Sequence, residues 1–412
     1  MEIKLIIPQE FYIANEMASP PLQFEPFYNL DDIEFIHLKR GDSLSNIPEA
    51  DLYGISAYTT DIKMANIIAT HLRSRDGVSK IAIGGAHASY RTAEISSLYD
   101  YVIVGNGENF IRDALNGKLP QSRVVTGGER IRTFHPRSYK WFAPYNPNYH
   151  RGSTSSYTLR TSFGCYWNCY FCACLLNRKV LFRESSEVKN QLDFLYDNGI
   201  RNLRVIDEIF TAHPEFELLC EMFQPFEWVA QTRLDLLTKN KAEMMKKNGC
   251  EVVQVGIESF SEEIRRNLNK RLTKRQLVNG LKIASDAGLR VYGFIMLGTP
   301  HDTFDTIKET VDTGRKLLNG NELRPDLFCP LPGTAIGDNP EKHNFRILTK
   351  DYEYYSVLCF QNTHGRLVGV PNHIKDIDSW EKLLRDTLYE LNTSIIRKIL
   401  DNPITDWHDN YM

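Results

Sequence analysis

The chain has 412 residues, a length that allows about two or three domains of ordinary size. Hydrophobic residues make up 42% of it and charged residues 25%, and the net charge is −3, so its composition is that of a globular protein and not of a general nucleic-acid or membrane binder. The apolar run at 3–8 is too short for a signal peptide or a membrane span, and no later run reaches spanning length.

Residues 1–125 are predicted to form a first domain in which strands alternate with helices. Helices are predicted at 63–75 and 93–98. Strands are predicted at 3–8, 33–38, 52–57, 80–85 and 101–104. This alternation predicts an α/β fold with a doubly wound parallel sheet, whose ligands bind at the carboxyl ends of the strands. Residues 126–155, with Pro136, Pro144 and Pro147 and no clear periodicity, are predicted to be a linker.

Residues 156–335 are predicted to form six strand–helix units. The strands are predicted at 156–162, 202–206, 228–232, 251–256, 289–297 and 326–330. The helices are predicted at 187–198, 215–223, 241–248, 274–287 and 306–318. Six such units predict an open, partial (β/α)6 barrel, in which function gathers at the carboxyl ends of the strands. Residues 336–412 are predicted to be a small helical capping region, with a long amphipathic helix at 379–400.

The first strand of this barrel leads directly into a cysteine motif. Cys165, Cys169 and Cys172 have the spacing C-x3-C-x2-C, and thiolates at this spacing can bind one soft metal centre from a single loop. Three ligands are one fewer than a closed cluster or zinc site takes, so an open metal position is implied. The alternatives are three ordinary cysteines or a partial zinc knuckle. All eight cysteines lie at or after Cys165, which is a poor disulfide framework and indicates the reducing cytoplasm.

The later strand ends also carry polar residues or glycine, and together with the cysteines they resemble the radical S-adenosylmethionine (SAM) enzymes of the subclass with a B12-binding domain. The resemblance implies a [4Fe–4S] cluster on Cys165, Cys169 and Cys172, with SAM on the open iron. It also implies cofactor-binding roles. Asp207 and Glu208, in Asp207-Glu208-x-Phe210, would position the SAM amino group, Arg233 would pair with its carboxylate, Glu258 and Ser259 would bind the ribose or the amino-acid end, and Gly298, in the stretch 293–300, would line the adenine. For each of these polar residues the alternative is an ion pair or a helix cap. Cys174 is predicted to be a packed thiol, and no auxiliary cluster is expected.

The first domain resembles cobalamin-binding domains. Ser56-Ala57-Tyr58 stands where that family has Ser-x-Leu, and Gly84-Gly85 follows Ser56 by 28 residues, as in the family. Small residues allow the backbone to approach the nucleotide tail of cobalamin, and Ser56 can hydrogen-bond it. The Asp-x-His-x-x-Gly motif that supplies the lower cobalt ligand is absent from the sequence. A vestigial domain is the alternative, and His87 either faces the ligand or is a solvated loop residue.

The resemblance implies an enzyme that cleaves SAM reductively to methionine and a 5′-deoxyadenosyl radical, which takes a hydrogen atom from an unactivated carbon. With cobalamin the outcome would be methylation, with a second SAM remethylating the cobalt. Two alternatives remain: a radical SAM enzyme without cobalamin that performs a rearrangement, cyclisation or oxidation, and a non-catalytic binding protein stabilised by a cluster or zinc. A methylthiotransferase is disfavoured because none of its three additional cysteines precedes Cys165. The expected electron donor is a flavodoxin or ferredoxin. The substrate class stays open among peptides, natural-product precursors, nucleotides and lipids.

Overall fold

A computed structural model describes residues 1–8, 33–38, 42–75, 79–128, 157–174, 179–318, 322–355 and 367–391. These residues contain two parallel sheets of six strands each, with helices packed on them. The predicted α/β class is confirmed.

The first sheet has the strand order β2-β1-β3-β4-β5-β6, and all of its neighbouring strands are parallel. Its strands are β1 (Ile3–Pro8), β2 (Ile33–Leu38), β3 (Leu52–Ser56), β4 (Lys80–Gly84), β5 (Tyr101–Val104) and β6 (Val124–Thr126). Its helices are α1 (Ile62–Arg75), α2 (Ala86–Tyr90) and α3 (Glu108–Leu115).

The interior strand β1 shows why this sheet is doubly wound. Successive side chains of a strand point to opposite faces. Ile6 packs in a core that contains Ile68 of α1, whereas Leu5 packs in a second core that contains Phe110 of α3. Each face of the sheet is therefore covered by a helix, and the strand is apolar on both faces.

Five of the six strands were predicted, whereas β6, α2 and α3 were not. The helix predicted at 93–98 is wrong. This stretch holds a single 3-10 turn at Thr92–Glu94, and the Ser96 hydroxyl accepts the Leu98 N–H at 3.2 Å. A serine that hydrogen-bonds the neighbouring backbone in this way competes with helix formation. The boundary predicted at residue 125 falls inside β6, and most of the predicted linker lies outside the described residues.

From residue 157 onward a second set of elements begins. Its strands are β7 (Tyr157–Leu159), β8 (Ser162–Phe163), β9 (Leu181–Phe182), β10 (Asn202–Val205), β11 (Glu227–Thr232), β12 (Cys250–Glu258), β13 (Arg290–Leu297), β14 (Glu322–Leu327), β15 (Phe345–Ile347) and β16 (Gly369–Pro371). Its helices are α4 (Ser185–Asp197), α5 (Phe216–Phe223), α6 (Lys239–Lys247), α7 (Glu262–Asn267), α8 (Lys274–Asp286), α9 (Phe304–Leu317), α10 (Ala335–Asp338) and α11 (Ile377–Leu391).

The second sheet has the order β14-β13-β12-β11-β10-β7, and every neighbouring pair is parallel. Its strands are therefore adjacent in chain order, which is the predicted six-unit partial barrel. The predicted strand–helix units are confirmed, except that the strand predicted at 156–162 is divided into β7 and β8, and that β14 starts four residues before the predicted 326. Pro325 argues against a strand in the sequence, because proline disfavours strands in general. It is tolerated here because β14 is an edge strand. The sequence did not predict α7.

The C-terminal part packs against the same barrel. The helix α11 contributes Trp380, Leu384 and Leu388 to the core of the second sheet. It begins two residues before the predicted 379, and the predicted extension from 392 to 400 lies outside the described residues. The antiparallel pair β15 and β16 was not predicted. Within the described parts of the chain, no helix combines the length and apolarity needed to span a membrane.

Candidate functional site

The three cysteines of the motif lie on the loop that connects β8 to β9, after the carboxyl end of β7. Gly164 opens this loop with a φ of +98°, a conformation that glycine adopts readily. Cys169 is 8% exposed, and Cys165 and Cys172 are half-buried. Burial raises the pKa of all three thiols, to about 11 for Cys172, and the charges of Cys165 and Cys169 also raise the pKa of Cys172. The three thiols therefore lie on one short, partly buried loop.

These donors fit a cluster with one open iron. Among the residues that the structure describes, no three His, Cys, Asp or Glu side chains are arranged to hold a single metal ion. A [4Fe–4S] cluster binds each cysteine through a different iron, so it does not require sulfurs that converge on one point. Cys174 is half-buried. Burial raises the pKa of its thiol, and so does the charge of the nearby Glu208. The Cys174 backbone N–H donates to the Cys172 sulfur at 3.5 Å. Its predicted role as a packed thiol stays a prediction.

Asp207 and Glu208 follow β10 and contact the segment that carries the cysteines. Asp207 is fully buried, and it accepts hydrogen bonds from the Thr161 N–H at 2.7 Å, from the Thr161 hydroxyl and from the Ser162 hydroxyl at 2.8 Å. Burial raises the pKa of Asp207. Its carboxyl group therefore anchors the backbone that leads into the cysteine loop, and the role predicted for it toward the SAM amino group stays a prediction.

Glu208 faces the cysteine loop more directly. It accepts the Gly164 N–H at 3.1 Å and pairs with Arg160 at 2.9 Å. Its charge raises the pKa of Cys165. Glu208 therefore lies at the cysteine loop, and the role predicted for it toward the SAM amino group stays a prediction.

Arg233, which follows β11, is buried against the same loop. It makes a bidentate pair with Asp235, with both distances 3.0 Å, and donates to the Lys270 carbonyl at 3.0 Å. Its guanidinium lies 4.6 Å from the ring centroid of Trp167, which stands between the first two cysteines. Stacking on an aromatic ring holds a guanidinium in one orientation. The structure thus places Arg233 at the cluster site, with part of its hydrogen-bonding capacity already used by Asp235.

Glu258 ends β12 with a φ of +67°, which is rare for a residue other than glycine. Its carboxylate pairs with Lys270 at 2.7 Å, and both side chains are buried. The charge of Lys270 lowers the pKa of Cys165, Cys169 and Cys172. Lys270 was missed by the sequence analysis, because it lies in a loop between α7 and α8 and belongs to no motif at a strand end.

Ser259 and Gly298 make contacts away from the cysteine loop. The Ser259 hydroxyl lies 2.8 Å from that of Thr310 on α9 and accepts the Ser261 N–H at 3.1 Å. A Cβ on Gly298, which has a φ of +80°, would lie 2.9 Å from Leu384 of α11. These contacts are structural, and the cofactor roles predicted for the two residues stay predictions.

The predicted cobalamin residues lie together at the carboxyl edge of the first sheet. Ser56 and Gly84 are paired in adjacent strands, and the Ala57 N–H donates to the Gly84 carbonyl at 3.0 Å. Gly85 begins α2 with a φ of +97°, and a Cβ on it would lie 2.6 Å from the Ala57 oxygen. Only glycine fits there. Gly84 is more open, since the nearest atom to its Cβ position is Ile103 Cβ at 3.7 Å.

His87 is 1% exposed, so the interpretation of a solvated loop histidine is wrong. Its ring contacts the Tyr352 ring edge-on at 4.8 Å, and its Nδ1 lies 3.4 Å from the Thr59 hydroxyl. Burial lowers the pKa of His87 to about 4. His87 is therefore neutral at neutral pH and packed between the first sheet and the C-terminal region.

The carboxyl edge of the first sheet packs directly on the cysteine loop. Tyr90, the last residue of α2, donates to the carbonyl of Ala173 at 2.8 Å, one residue after Cys172. Its ring covers Gly333, where a Cβ would lie 2.1 Å from Tyr90 Cδ1. Arg91 pairs with Asp338 at 2.7 Å. The glycine turn of one sheet and the cysteine loop of the other are thus joined through one short helix.

The structure thus has a partial barrel with three cysteines after its first strand, and carboxylates and an arginine after the next strands, as the resemblance to radical SAM proteins predicted. Residues 159–314 match the model of the radical SAM superfamily. These residues form a radical SAM domain, which implies an enzyme that uses SAM and a [4Fe–4S] cluster.

Two curated proteins and one solved structure are similar over much of the chain. An uncharacterized methyltransferase of Pyrococcus horikoshii is 25% identical over 346 residues, which cover 75% of this chain and 73% of that protein. The bacteriochlorophyllide d C-12(1)-methyltransferase of Chlorobaculum tepidum is 23% identical over 402 residues, covering 92% and 84%. The radical SAM methyltransferase TsrM of Kitasatospora setae, solved with cobalamin and a [4Fe–4S] cluster bound, superposes with a TM-score of 0.68 at 15% identity, covering 93% and 90%. This last likeness shows that the two proteins share a fold.

Proposed function

We propose that this protein is a cobalamin-dependent radical SAM methyltransferase that methylates an unactivated carbon. Two curated relatives are named methyltransferases. The protein TsrM, which has the same fold, was solved with cobalamin and a [4Fe–4S] cluster bound. The substrate that carries the carbon stays open among peptides, natural-product precursors, nucleotides and lipids.

One observation carries the proposal: the contact between Tyr90 and Ala173. Ligands of doubly wound sheets bind at the carboxyl ends of the strands, and α2 starts at that edge, directly after Gly84-Gly85. Tyr90 at the other end of α2 touches the cysteine loop. A cofactor on the glycine turn would therefore lie next to the cluster and to SAM, as transfer of a methyl group through cobalamin requires.

The chain's own residues hold and orient the cofactors. Cys165, Cys169 and Cys172 would bind the cluster, and Glu208 and Arg233, which contact the cysteine loop, would bind SAM on its open iron. When bound, the cluster supplies the electron that cleaves SAM to methionine and a 5′-deoxyadenosyl radical, and cobalamin supplies the methyl group.

In the first domain, Ser56 and the backbone at Gly84 would contact the cobalamin tail. The sequence has no Asp-x-His-x-x-Gly motif. His87, the histidine next to the glycine turn, is buried against Tyr352. We therefore propose that the protein binds cobalamin through contacts to its periphery and its nucleotide tail, without a histidine ligand from that motif.

The test is anaerobic reconstitution of the full chain with iron and sulfide in the presence of hydroxocobalamin. After desalting, a visible spectrum and a metal count are recorded. We expect about four irons and one cobalt per chain, as the proposed cofactors require. Four irons without cobalt would reject the cobalamin part and leave a radical SAM reaction without it. Zinc in place of iron, with no cleavage of SAM after reduction, would support a non-catalytic binding protein.

A second measurement follows the products of SAM. Methylation through cobalamin consumes one SAM as methyl donor and one as radical source. We therefore expect S-adenosylhomocysteine and 5′-deoxyadenosine in equal amounts for each methylated product. A reaction that yields 5′-deoxyadenosine alone would be a rearrangement, cyclisation or oxidation.

The proposal includes flavodoxin or ferredoxin as the electron donor and the reducing cytoplasm as the location.

A further inference from the structure

The loop between α7 and α8 contacts the cysteine loop. Asn269 and Arg271 have φ values of +53° and +52°, a left-handed conformation that is strained in residues other than glycine. The surrounding contacts maintain this turn. The Asn269 amide donates to the Asn168 carbonyl at 2.5 Å, and the Tyr170 N–H donates to the Leu268 carbonyl at 3.0 Å. Both partners on the cysteine loop lie within one residue of Cys169.

This strained turn places Lys270 beside the cysteine loop. Its ammonium lies 2.7 Å from Glu258 and 5.9 Å from the ring centroid of Phe171, the residue before Cys172. Its side chain is 9% exposed. A buried ammonium is costly unless opposite charge surrounds it. Glu258 supplies one such charge, and a reduced cluster would supply more.

The chain leaves room for this pair. A Cβ on Gly256 would lie 2.3 Å from Glu258 Oε1 and 2.7 Å from Lys270 Nζ. Glu258 itself has a left-handed φ, where the register between β12 and β13 shifts. Three local features, a glycine, a strand irregularity and a strained turn, therefore converge on one buried ion pair beside the cysteines.

We propose that Lys270 tunes the reduction potential of the cluster by stabilising its reduced state, and that Glu258 opposes this effect. In this step one electron passes from the donor to the cluster, and no bond is formed or broken. The added negative charge is stabilised by a nearby cation, whose field is strong in a buried site, and the potential of a cluster depends on nearby charge and burial. This inference rests on the proposed function only in needing the cluster, and it assigns Lys270 an electrostatic role.

The experiment is a redox titration of the reconstituted full chain without SAM, followed by electron paramagnetic resonance. In K270M we expect the reduced form to be disfavoured about tenfold, which for one electron moves the midpoint potential about 59 mV more negative. K270R, which keeps the charge, should stay near the wild type. E258Q should move the potential in the opposite direction, to less negative values.

K246M is the matched control. Lys246 pairs with Glu251 at 2.8 Å at the amino end of the same strand β12, and both side chains are partly exposed. The same substitution there should leave the potential unchanged. Iron content is measured in every sample. If K270M loses the cluster because the loop loosens, E258Q tests the same charge effect with the opposite sign.

The outcomes separate this inference from the proposed function. A full complement of iron in K270M with the potential of the wild type would overturn the role of Lys270. So would a shift of K270M and E258Q in the same direction. Weaker SAM binding by K270M at an unchanged potential would instead place Lys270 on the SAM carboxylate. A wild-type protein without iron would reject the cluster and the inference together.

Discussion

Replacement of Gly85 by alanine should destabilise the first sheet at its proposed ligand edge. Gly85 has φ +97° and ψ −172°, a region that is essentially restricted to glycine. The new Cβ would lie 2.6 Å from the oxygen and 3.0 Å from the nitrogen of Ala57. Both are backbone atoms of the end of β3, so neither can rotate away as a flexible side chain can.

The magnitude follows from three contributions. Backbone strain contributes about 1–3 kcal/mol, and overpacking against fixed atoms contributes about 1–3 kcal/mol more. The loss of unfolded-state entropy on replacing glycine by alanine stabilises by about 0.4–1 kcal/mol. We therefore expect G85A to lower the free energy of unfolding by about 1–6 kcal/mol.

Gly84 is the matched control, one residue earlier on the same turn. It has no positive φ, and the nearest atom to its Cβ position lies 3.7 Å away. The free energy of unfolding of G84A should therefore lie within about 1 kcal/mol of that of the wild type. If the backbone at Gly84 approaches cobalamin, G84A should nevertheless retain less cobalt after reconstitution and desalting.

Urea denaturation followed by circular dichroism measures the stability of both variants, and metal analysis measures their cobalt. A G85A protein as stable as the wild type would refute the conformation described for this turn. A G84A protein with normal stability and full cobalt would remove Gly84 from the cofactor site. The two variants thus test the geometry and the ligand separately.

Three further predictions concern other contacts. Tyr90→Phe removes the 2.8 Å bond to Ala173, which should cost about 0.5–1.5 kcal/mol in urea denaturation and lower cobalt retention more than iron retention. Cys169→Ala should abolish the iron–sulfur absorbance of the reconstituted protein, whereas Cys174→Ala should keep it. Burial raises the pKa of Asp61 to about 6, so the folded state binds its proton more tightly than the unfolded state. About 3 kcal/mol of stability should be lost as the pH rises from about 4 to about 6. Asp61→Asn should flatten this pH dependence.

Different results would contradict these three predictions. Unchanged stability and cobalt retention in Tyr90→Phe would mean that the contact does not couple the two sheets. Loss of the cluster in Cys174→Ala would make Cys174 a fourth ligand and close the open iron. Parallel pH profiles of the wild type and Asp61→Asn would show that Asp61 keeps its ordinary pKa in the folded protein.

The sequence predicted the sheets well because local patterns specify them. A strand such as β1 is apolar on both faces, and glycine or a polar residue marks its end, so its limits can be seen without knowledge of its neighbours. The residues at strand ends were found for the same reason, since parallel strands end at one edge. Cys165, Glu208 and Arg233 are brought together in the structure by this topology alone.

Contacts between distant segments could not be predicted in this way. Tyr90 and Ala173 are far apart in sequence, and nothing in the residues around either one indicates the other. The position of Lys270 could not be predicted either, because its ion pair with Glu258 depends on a turn with two left-handed residues. Such a conformation is imposed by tertiary contacts and has no periodic pattern. The sequence therefore identified the cysteines but not the cation beside them.

The adjacent residues Asp207 and Glu208 show how one motif can serve two purposes. The carboxyl group of Asp207 turns inward and binds the backbone and hydroxyl groups at Thr161 and Ser162. That of Glu208 reaches the Gly164 N–H and lies near Cys165. Both residues therefore hold the segment before the first cysteine, one from inside the barrel and one from the side of the site. Since the cysteine loop has few strand contacts of its own, its geometry depends on this pair and on the strained turn at Lys270.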